Sequence, residues 1–116
     1  MIFIIDDDEI MRGCIKRACS GYEVLEFQDA LEAMEAISSG MLPKMIFLDV
    51  MLTGPDGFTF LNELMTYDDT MTIPIVIISG VDFREKDLSA YGVVEILSKD
   101  SFKPDDIRKL LEDYAK

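Results

Sequence analysis

Apolar and polar positions alternate along the chain in a pattern that predicts five strands separated by helices. The strand-like apolar runs lie near residues 2–5, 22–27, 45–48, 75–78 and 93–97. Between them, apolar residues recur at intervals of three or four, the spacing of one helix face. The helical sets are Ile10/Cys14/Ala18, Leu31/Met34/Ile37, Phe58/Leu61/Met65 and Ile107/Leu110/Leu111/Tyr114, with a poorer set, Phe83/Leu88/Tyr91, around 83–91. Strands that alternate with helices predict an α/β fold with a parallel sheet covered on both faces.

Two of the five runs contain glutamate, which predicts their place in the sheet. The first, third and fourth runs are continuously apolar, as strands buried on both faces must be. The second run carries Glu23 and Glu26, and the fifth carries Glu95, as strands at a sheet edge can. We therefore expect the flavodoxin-like, doubly wound order 2-1-3-4-5. In that order the chain reverses direction between the first and third strands, which opens a crevice at their carboxyl ends.

Three carboxylates follow the strands that border this crevice. Asp6 and Asp7 close the first apolar run, and Asp49 closes the third. Three ionised acids in one crevice repel each other unless a hard cation lies among them. Oxygen ligands without histidine or cysteine suit Mg²⁺, which usually accompanies a phosphoryl group. Any one of these acids alone could simply cap a helix, but the set predicts a magnesium site.

Composition and charge exclude several classes of protein. A chain of 116 residues is long enough for one domain, residues 1–116, with a real core. The net charge of −12 argues against direct binding to nucleic acid or anionic lipid. No apolar run approaches the roughly 20 residues that a membrane span needs. Cys14 and Cys19, five positions apart, suit neither a disulfide nor a metal site, which predicts a reducing, cytoplasmic location.

Four motifs stand in order at the ends of the predicted strands. They are Asp6-Asp7 in FIIDDDEIMR, Asp49 in LDVMLTGPDGF with Gly57 eight residues later, Ser79 in IVIISG, and Lys99 in ILSKDSF. With these motifs the chain resembles, over essentially all its length, the receiver domain of two-component response regulators. Each motif alone is weak evidence, whereas four in the right order are specific to that family.

The resemblance implies a signalling domain that catalyses only its own phosphorylation and dephosphorylation. Asp49 would accept a phosphoryl group from a sensor histidine kinase or histidine phosphotransfer protein. The implied Mg²⁺ ligands are Asp6 (mainly through a water), Asp7, Asp49 and the backbone carbonyl of Met51. Ser79 and Lys99 would contact the phosphoryl group, and the resulting switch would act on a downstream effector protein or domain. The domain would be a monomer or a phosphorylation-dependent dimer.

Three positions depart from the family pattern, and the smallest change is Thr53, which replaces the usual proline of the loop after the acceptor. Asp100 replaces the proline that usually follows the lysine across a cis bond. Because a cis bond before a non-proline residue costs about 3 kcal/mol, we expect a trans Lys99–Asp100 bond. Ile96 replaces the aromatic residue that usually moves with the hydroxyl switch, so we expect the signal to leave through the segment 79–91.

Two other functions stay open. A pseudo-receiver would keep the fold as a docking module without being phosphorylated. A haloacid-dehalogenase-type phosphatase would use an Asp-x-Asp motif, which Asp6 and Asp8 satisfy, although the chain is short for that family's cap and final acidic motif. The chain is either a stand-alone receiver or one excised from a longer protein, and a first strand that begins at residue 2 favours excision.

Overall fold

The chain folds into a five-stranded parallel sheet with helices on both faces, described for residues 1–49, 56–80 and 88–116 in a computed structural model. The strands are β1 (Ile2–Ile5), β2 (Val24–Phe27), β3 (Met45–Leu48), β4 (Ile75–Ser79) and β5 (Val93–Ser98). The helices are α1 (Glu9–Ala18), α2 (Ala30–Ser38), α3 (Asp56–Leu64) and α4 (Pro104–Tyr114). The α/β class predicted from the alternating pattern is confirmed.

The sheet has the order β2-β1-β3-β4-β5, and every neighbouring pair is parallel. β1, β3 and β4 are buried along their whole length, whereas β2 and β5 contain exposed residues. Glu26 of β2 pairs with Ile4, and Glu95 of β5 pairs with Val76. The predicted order and the predicted edge strands are therefore confirmed, because only the outer strands leave room for a carboxylate to reach water.

β4 and β5 each end one residue later than predicted, and the structure differs from the prediction by more than that in two places. β2 begins two residues late, because Gly21 (φ 94°) and the bond from the Tyr22 N–H to the Cys19 carbonyl form a turn after α1. The predicted helical segment around 83–91 falls mostly on residues 81–87, which lie outside the described residues. Its described end, Ser89–Tyr91, is a 3₁₀ turn rather than an α-helix, closed by Gly92 at φ 81°.

Side chains fix the starts of three helices. The Asp8 carboxylate accepts hydrogen bonds from the N–H groups of Ile10 and Met11 at the start of α1. At the start of α2, the Asp29 carboxylate accepts a hydrogen bond from the N–H of Glu32 at 2.8 Å. At α4, Pro104 occupies the first turn and the Asp106 carboxylate accepts from the Lys103 N–H. These caps satisfy backbone donors that have no partner within the helix.

Successive residues of each strand point to opposite faces of the sheet, which produces two cores. One core lies under α2 and α3, and the other lies under α1 and α4. Cys19 is buried in the second core, where burial raises the pKa of its thiol to about 12, and Cys14 is partly exposed. Neither cysteine forms a disulfide. Among the helices that the structure describes, none is long and apolar enough to cross a membrane.

Candidate functional site

Asp6, Asp7 and Asp49 converge at the carboxyl edge of β1 and β3. One oxygen from each carboxylate lies within 4.8 Å of the others, close enough for a single metal ion to bind all three. β1 and β3 pair in register, and the Asp49 N–H donates to the Ile5 carbonyl at 3.0 Å, which holds Asp49 beside the end of β1. Asp6 and Asp49 are buried and Asp7 is exposed. This oxygen-only set matches the preference of Mg²⁺.

Lys99 connects two of these acids. Its Nζ lies 2.7 Å from Oδ2 of Asp49 and 3.0 Å from Oδ2 of Asp6. The structure has no cis peptide bond among the described residues, so the predicted trans bond before Asp100 is confirmed. A turn replaces the family's cis bond, with the Asp100 N–H donating to Ser98 Oγ at 3.2 Å. The loop can therefore present the lysine amine to the acids without a proline.

Burial and charge shift the pKa values of two groups in the site. At Asp6, burial raises the pKa of the carboxyl and outweighs the hydrogen bond from the Asp8 N–H (2.9 Å) and the contact with Lys99. At Lys99, burial lowers the pKa of the amine, but the hydrogen bonds and charges of Asp49 and Asp6 outweigh it and the net shift is upward. The lysine is thus held as a cation between two carboxylates, and the crevice retains an excess of negative charge.

Of the other residues named in the four motifs or as metal ligands, Ser79 and Gly57 lie among the described residues. Ser79 is buried at the end of β4, and its backbone carbonyl accepts from the Lys99 N–H at 2.9 Å. Because Leu48 pairs with Ile77, Ser79 and Asp49 both lie at the carboxyl edge of adjacent strands. Gly57 lies in the first turn of α3. Met51 lies outside the described residues.

The sequence analysis missed Arg12, which supports the acidic pair from α1. Its Nη1 donates to the backbone carbonyl of Asp6 at 2.6 Å, and its Nε lies 3.4 Å from a carboxylate oxygen of Glu26 on β2. Lys16 lies 3.5 Å from the other oxygen of Glu26. The available signal was a cation six positions after Asp6 together with a glutamate on the neighbouring strand. Arg12 thereby ties the turn after β1 to the sheet edge.

Asp8 does not join the three converging acids. Its carboxylate caps α1 by accepting two backbone N–H groups, at 2.9 Å from Ile10 and 3.3 Å from Met11. A phosphatase built on Asp6 and Asp8 would need both carboxylates to face the reacting phosphorus. The geometry therefore argues against that alternative.

Comparisons with known proteins agree with this geometry. Residues 2–112 match the family described as the response regulator receiver domain. The protein-glutamate methylesterase/protein-glutamine glutaminase 2 of Chromobacterium violaceum is 34% identical over 106 residues, which are 84% of this chain and 29% of that protein. The chain spans less than half the length of the curated relatives it matches.

The solved structures with a similar fold include two receiver domains. The receiver domain of NtrX from Brucella abortus superposes with a TM-score of 0.81 at 30% identity, covering 97% of this chain and 96% of that chain. The receiver domain of the sensor histidine kinase PA1611 from Pseudomonas aeruginosa PAO1 superposes with a TM-score of 0.81 at 19% identity, covering 97% of this chain and 94% of that one. At that identity the second likeness shows the fold alone; its own structure has a magnesium ion coordinated in the active site cleft.

Proposed function

Because the chain belongs to the response regulator receiver domain family, we propose that residues 1–116 are one phosphoacceptor domain of a two-component or phosphorelay system. Asp49 accepts a phosphoryl group, and the resulting change in conformation controls an output. The observation that carries this proposal is the convergence of Asp6, Asp7 and Asp49, with the Lys99 amine in contact with Asp6 and Asp49. A carboxylate nucleophile beside acids that can hold a metal, with an ammonium group in contact, suits the transfer of a phosphoryl group to that carboxylate.

Asp49 is the proposed nucleophile. One of its oxygens attacks phosphorus in line, so that a new O–P bond forms while the bond from phosphorus to the donor breaks. With a phosphohistidine donor, the leaving group is the donor's imidazole, which takes up a proton. Lys99 already lies 2.7 Å from Asp49 and can then pair with a phosphoryl oxygen.

Asp6, Asp7 and Asp49 are the proposed metal ligands, together with the backbone carbonyl of Met51. The fit rests on three carboxylate oxygens within 4.8 Å of one another and on the excess negative charge of the crevice. Mg²⁺ at this position would offset charge on the transferring phosphoryl group. Asp6 is buried and bonded to Lys99, so we assign it a contact through water, and the exposed Asp7 a direct contact.

Ser79 and Lys99 are the residues that we propose to bind the phosphoryl group of phosphorylated Asp49. Both lie at the carboxyl edge of the sheet, where the Lys99 N–H donates to the Ser79 carbonyl. A hydroxyl and an ammonium beside a new dianion gain hydrogen bonds to it, which can reorder the loops that carry them. The domain in this proposal catalyses only its own phosphorylation and dephosphorylation.

The partners belong to the same proposal and rest on the family. They are a sensor histidine kinase or a histidine phosphotransfer protein as donor, and an effector protein or domain as the target of the switch. On the same family membership we propose a cytoplasmic location and a monomer or a phosphorylation-dependent dimer.

Phosphorylation by a small-molecule donor tests the proposal. With acetyl phosphate and Mg²⁺, the intact chain should gain the mass of one phosphoryl group, and hydroxylamine should remove it because an acyl phosphate is labile. Asp49→Asn should abolish the gain. Asp8→Asn is the matched control, because it changes a neighbouring acid that caps α1 and Asn also caps helices.

The outcome separates the proposal from its rivals. If the phosphoryl mass persists in Asp49→Asn, the acceptor assignment is refuted. If the mass then disappears only in Asp6→Asn or Asp8→Asn, the phosphatase alternative is favoured. A wild-type chain that is never modified would favour the pseudo-receiver, for which Ile96 and Asp100 are the motivating departures from the family.

A further inference from the structure

A groove runs between α2 and α3, on the face of the sheet opposite α1 and α4. One part has a volume of about 420 Å³ between Ala30, Leu31 and Phe60, and the adjoining part has about 300 Å³ between Ile37, Leu64 and Tyr67. Met34 and Glu63 line both parts, so the two are continuous. We call this cleft the α2/α3 groove and define it by Leu31, Met34, Glu63 and Tyr67.

The α2/α3 groove presents apolar side chains to water. Leu31 is 69% exposed and Tyr67 is 54% exposed, while Met34 between them is half-buried. Single exposed apolar residues are ordinary on protein surfaces, but several that line one concave cleft are typical of a binding groove. Leu31 and Met34 are three positions apart on α2 and therefore share one face of that helix.

The charged residues of the two helices that form the groove are all of one sign. None of the chain's eleven lysines and arginines lies between residues 18 and 43 or between residues 45 and 83, so α2 and α3 carry no cation. The exposed acids on or next to these two helices are Glu32, Glu35, Glu63, Asp68 and Asp69. The opposite face differs, because α1 and α4 carry Arg12, Lys16, Arg17, Arg108 and Lys109.

This charge selects the chemistry of an occupant. Anionic lipid and nucleic acid would be repelled by the acids around the groove. A second copy docked through the same surface would place these acids against their own duplicates. A cationic segment is attracted, and both helices are nine residues long, so the groove of about 13 Å accommodates two to three turns of a helix laid along it.

We propose that the α2/α3 groove binds an amphipathic helix of a partner protein, with apolar residues one turn apart flanked by lysine or arginine. The apolar side chains contact Leu31, Met34 and Tyr67, and the flanking cations lie near Glu63 and Asp69. This is the helix-in-groove mode of recognition. It uses no residue of the Asp49 site, so it stands or fails separately from the proposed phosphorylation.

A synthetic peptide tests the groove directly. The probe is a labelled helix of about 18 residues with leucines at i, i+3 and i+7 and lysines beside them, titrated with the full chain by fluorescence anisotropy. A matched peptide carries glutamate in place of every lysine. We expect the lysine peptide to bind at least tenfold more tightly than the glutamate peptide, and its affinity to fall with added salt.

Two variants then locate the binding site. Leu31→Glu changes the groove, and Tyr114→Glu is the matched control on α4, where the tyrosine is also exposed. Each variant adds one negative charge, so a purely electrostatic attraction would strengthen in both. We expect Leu31→Glu to weaken binding at least tenfold through lost apolar contact, and Tyr114→Glu to bind as wild type does.

Three results would overturn the proposal. They are no binding of the lysine peptide to the wild-type chain, wild-type affinity in Leu31→Glu, or an equal loss in Tyr114→Glu. Tyr67→Ser, a second exposed groove position, should reproduce the loss if Leu31→Glu alters the melting temperature. Asp49→Asn should bind the peptide normally, which separates this test from that of the phosphoacceptor.

Discussion

Magnesium is expected to stabilise the folded chain strongly, because only the folded chain assembles the acid cluster. With all groups ionised, three carboxylates and one ammonium carry about two negative charges in the crevice, and Mg²⁺ would neutralise them. In the unfolded chain Asp6 and Asp7 are separated from Asp49 by more than forty residues. The ion therefore binds the folded state preferentially, and its binding raises the free energy of unfolding.

The size of the effect follows from linkage. At an Mg²⁺ concentration 100 times the dissociation constant, the free energy of unfolding should rise by about 2.7 kcal/mol. A domain of this length has an unfolding entropy of about 0.24 kcal/mol/K near 60 °C, so the melting temperature should rise by about 11 °C. An effect of that size is well resolved by circular dichroism.

Thermal melts of four proteins with and without Mg²⁺ would test this reasoning. Wild type and Asp8→Asn should shift, whereas Asp7→Ala and Asp49→Asn should shift little or not at all. Without metal, Asp7→Ala should be at least as stable as wild type, since removing one acid relieves like-charge repulsion. If Mg²⁺ raises the melting temperature of Asp7→Ala as much as that of wild type, the ligand assignment is refuted. If Mg²⁺ does not change the melting temperature of wild type, the metal site is refuted.

Three further predictions concern stability. Burial raises the pKa of Asp6 above its ordinary value of 3.8, so ionised Asp6 destabilises the folded state, and this cost disappears as the pH falls through the raised pKa towards 3.8. Without metal, Asp6→Asn should therefore have a higher urea midpoint than wild type at pH 7, and the difference should shrink on acidification. A difference that stays constant with pH would contradict this prediction. Arg12→Ala should lower the free energy of unfolding by about 1–3 kcal/mol in urea denaturation, because it removes the hydrogen bond to the Asp6 carbonyl. The control Arg17→Ala, at an exposed position, should lower it by at most about 0.5 kcal/mol. Equal losses would show that the hydrogen bond contributes nothing. Gly92→Ala should lower the free energy of unfolding by about 1–2 kcal/mol, because φ at this position is 81°. Gly13→Ala, within α1, should raise it by about 0.5–1 kcal/mol. Melting temperatures that change in the same direction in both variants would contradict the backbone argument.

The strands, their order and the place of the acids could be predicted from the sequence because each depends on local pattern. Continuous apolar runs mark strands buried on both faces, and Glu26 and Glu95 mark the two edges. Parallel strands end at one edge, so the acids that follow β1 and β3 had to converge there. The weakest periodic set, around 83–91, lies mostly outside the described residues, and its described end, Ser89–Tyr91, is a 3₁₀ turn rather than the predicted α-helix.

The tertiary structure alone decided which side chains meet within that edge. Lys99 contacts Asp49 across fifty positions through a trans-bonded loop, and Arg12 reaches the Asp6 carbonyl from a neighbouring helix. The α2/α3 groove likewise depends on how two helices separated by β3 lie side by side. Such contacts depend on the angles between packed elements and on side-chain reach, and neither quantity is encoded in the periodicity of a single segment.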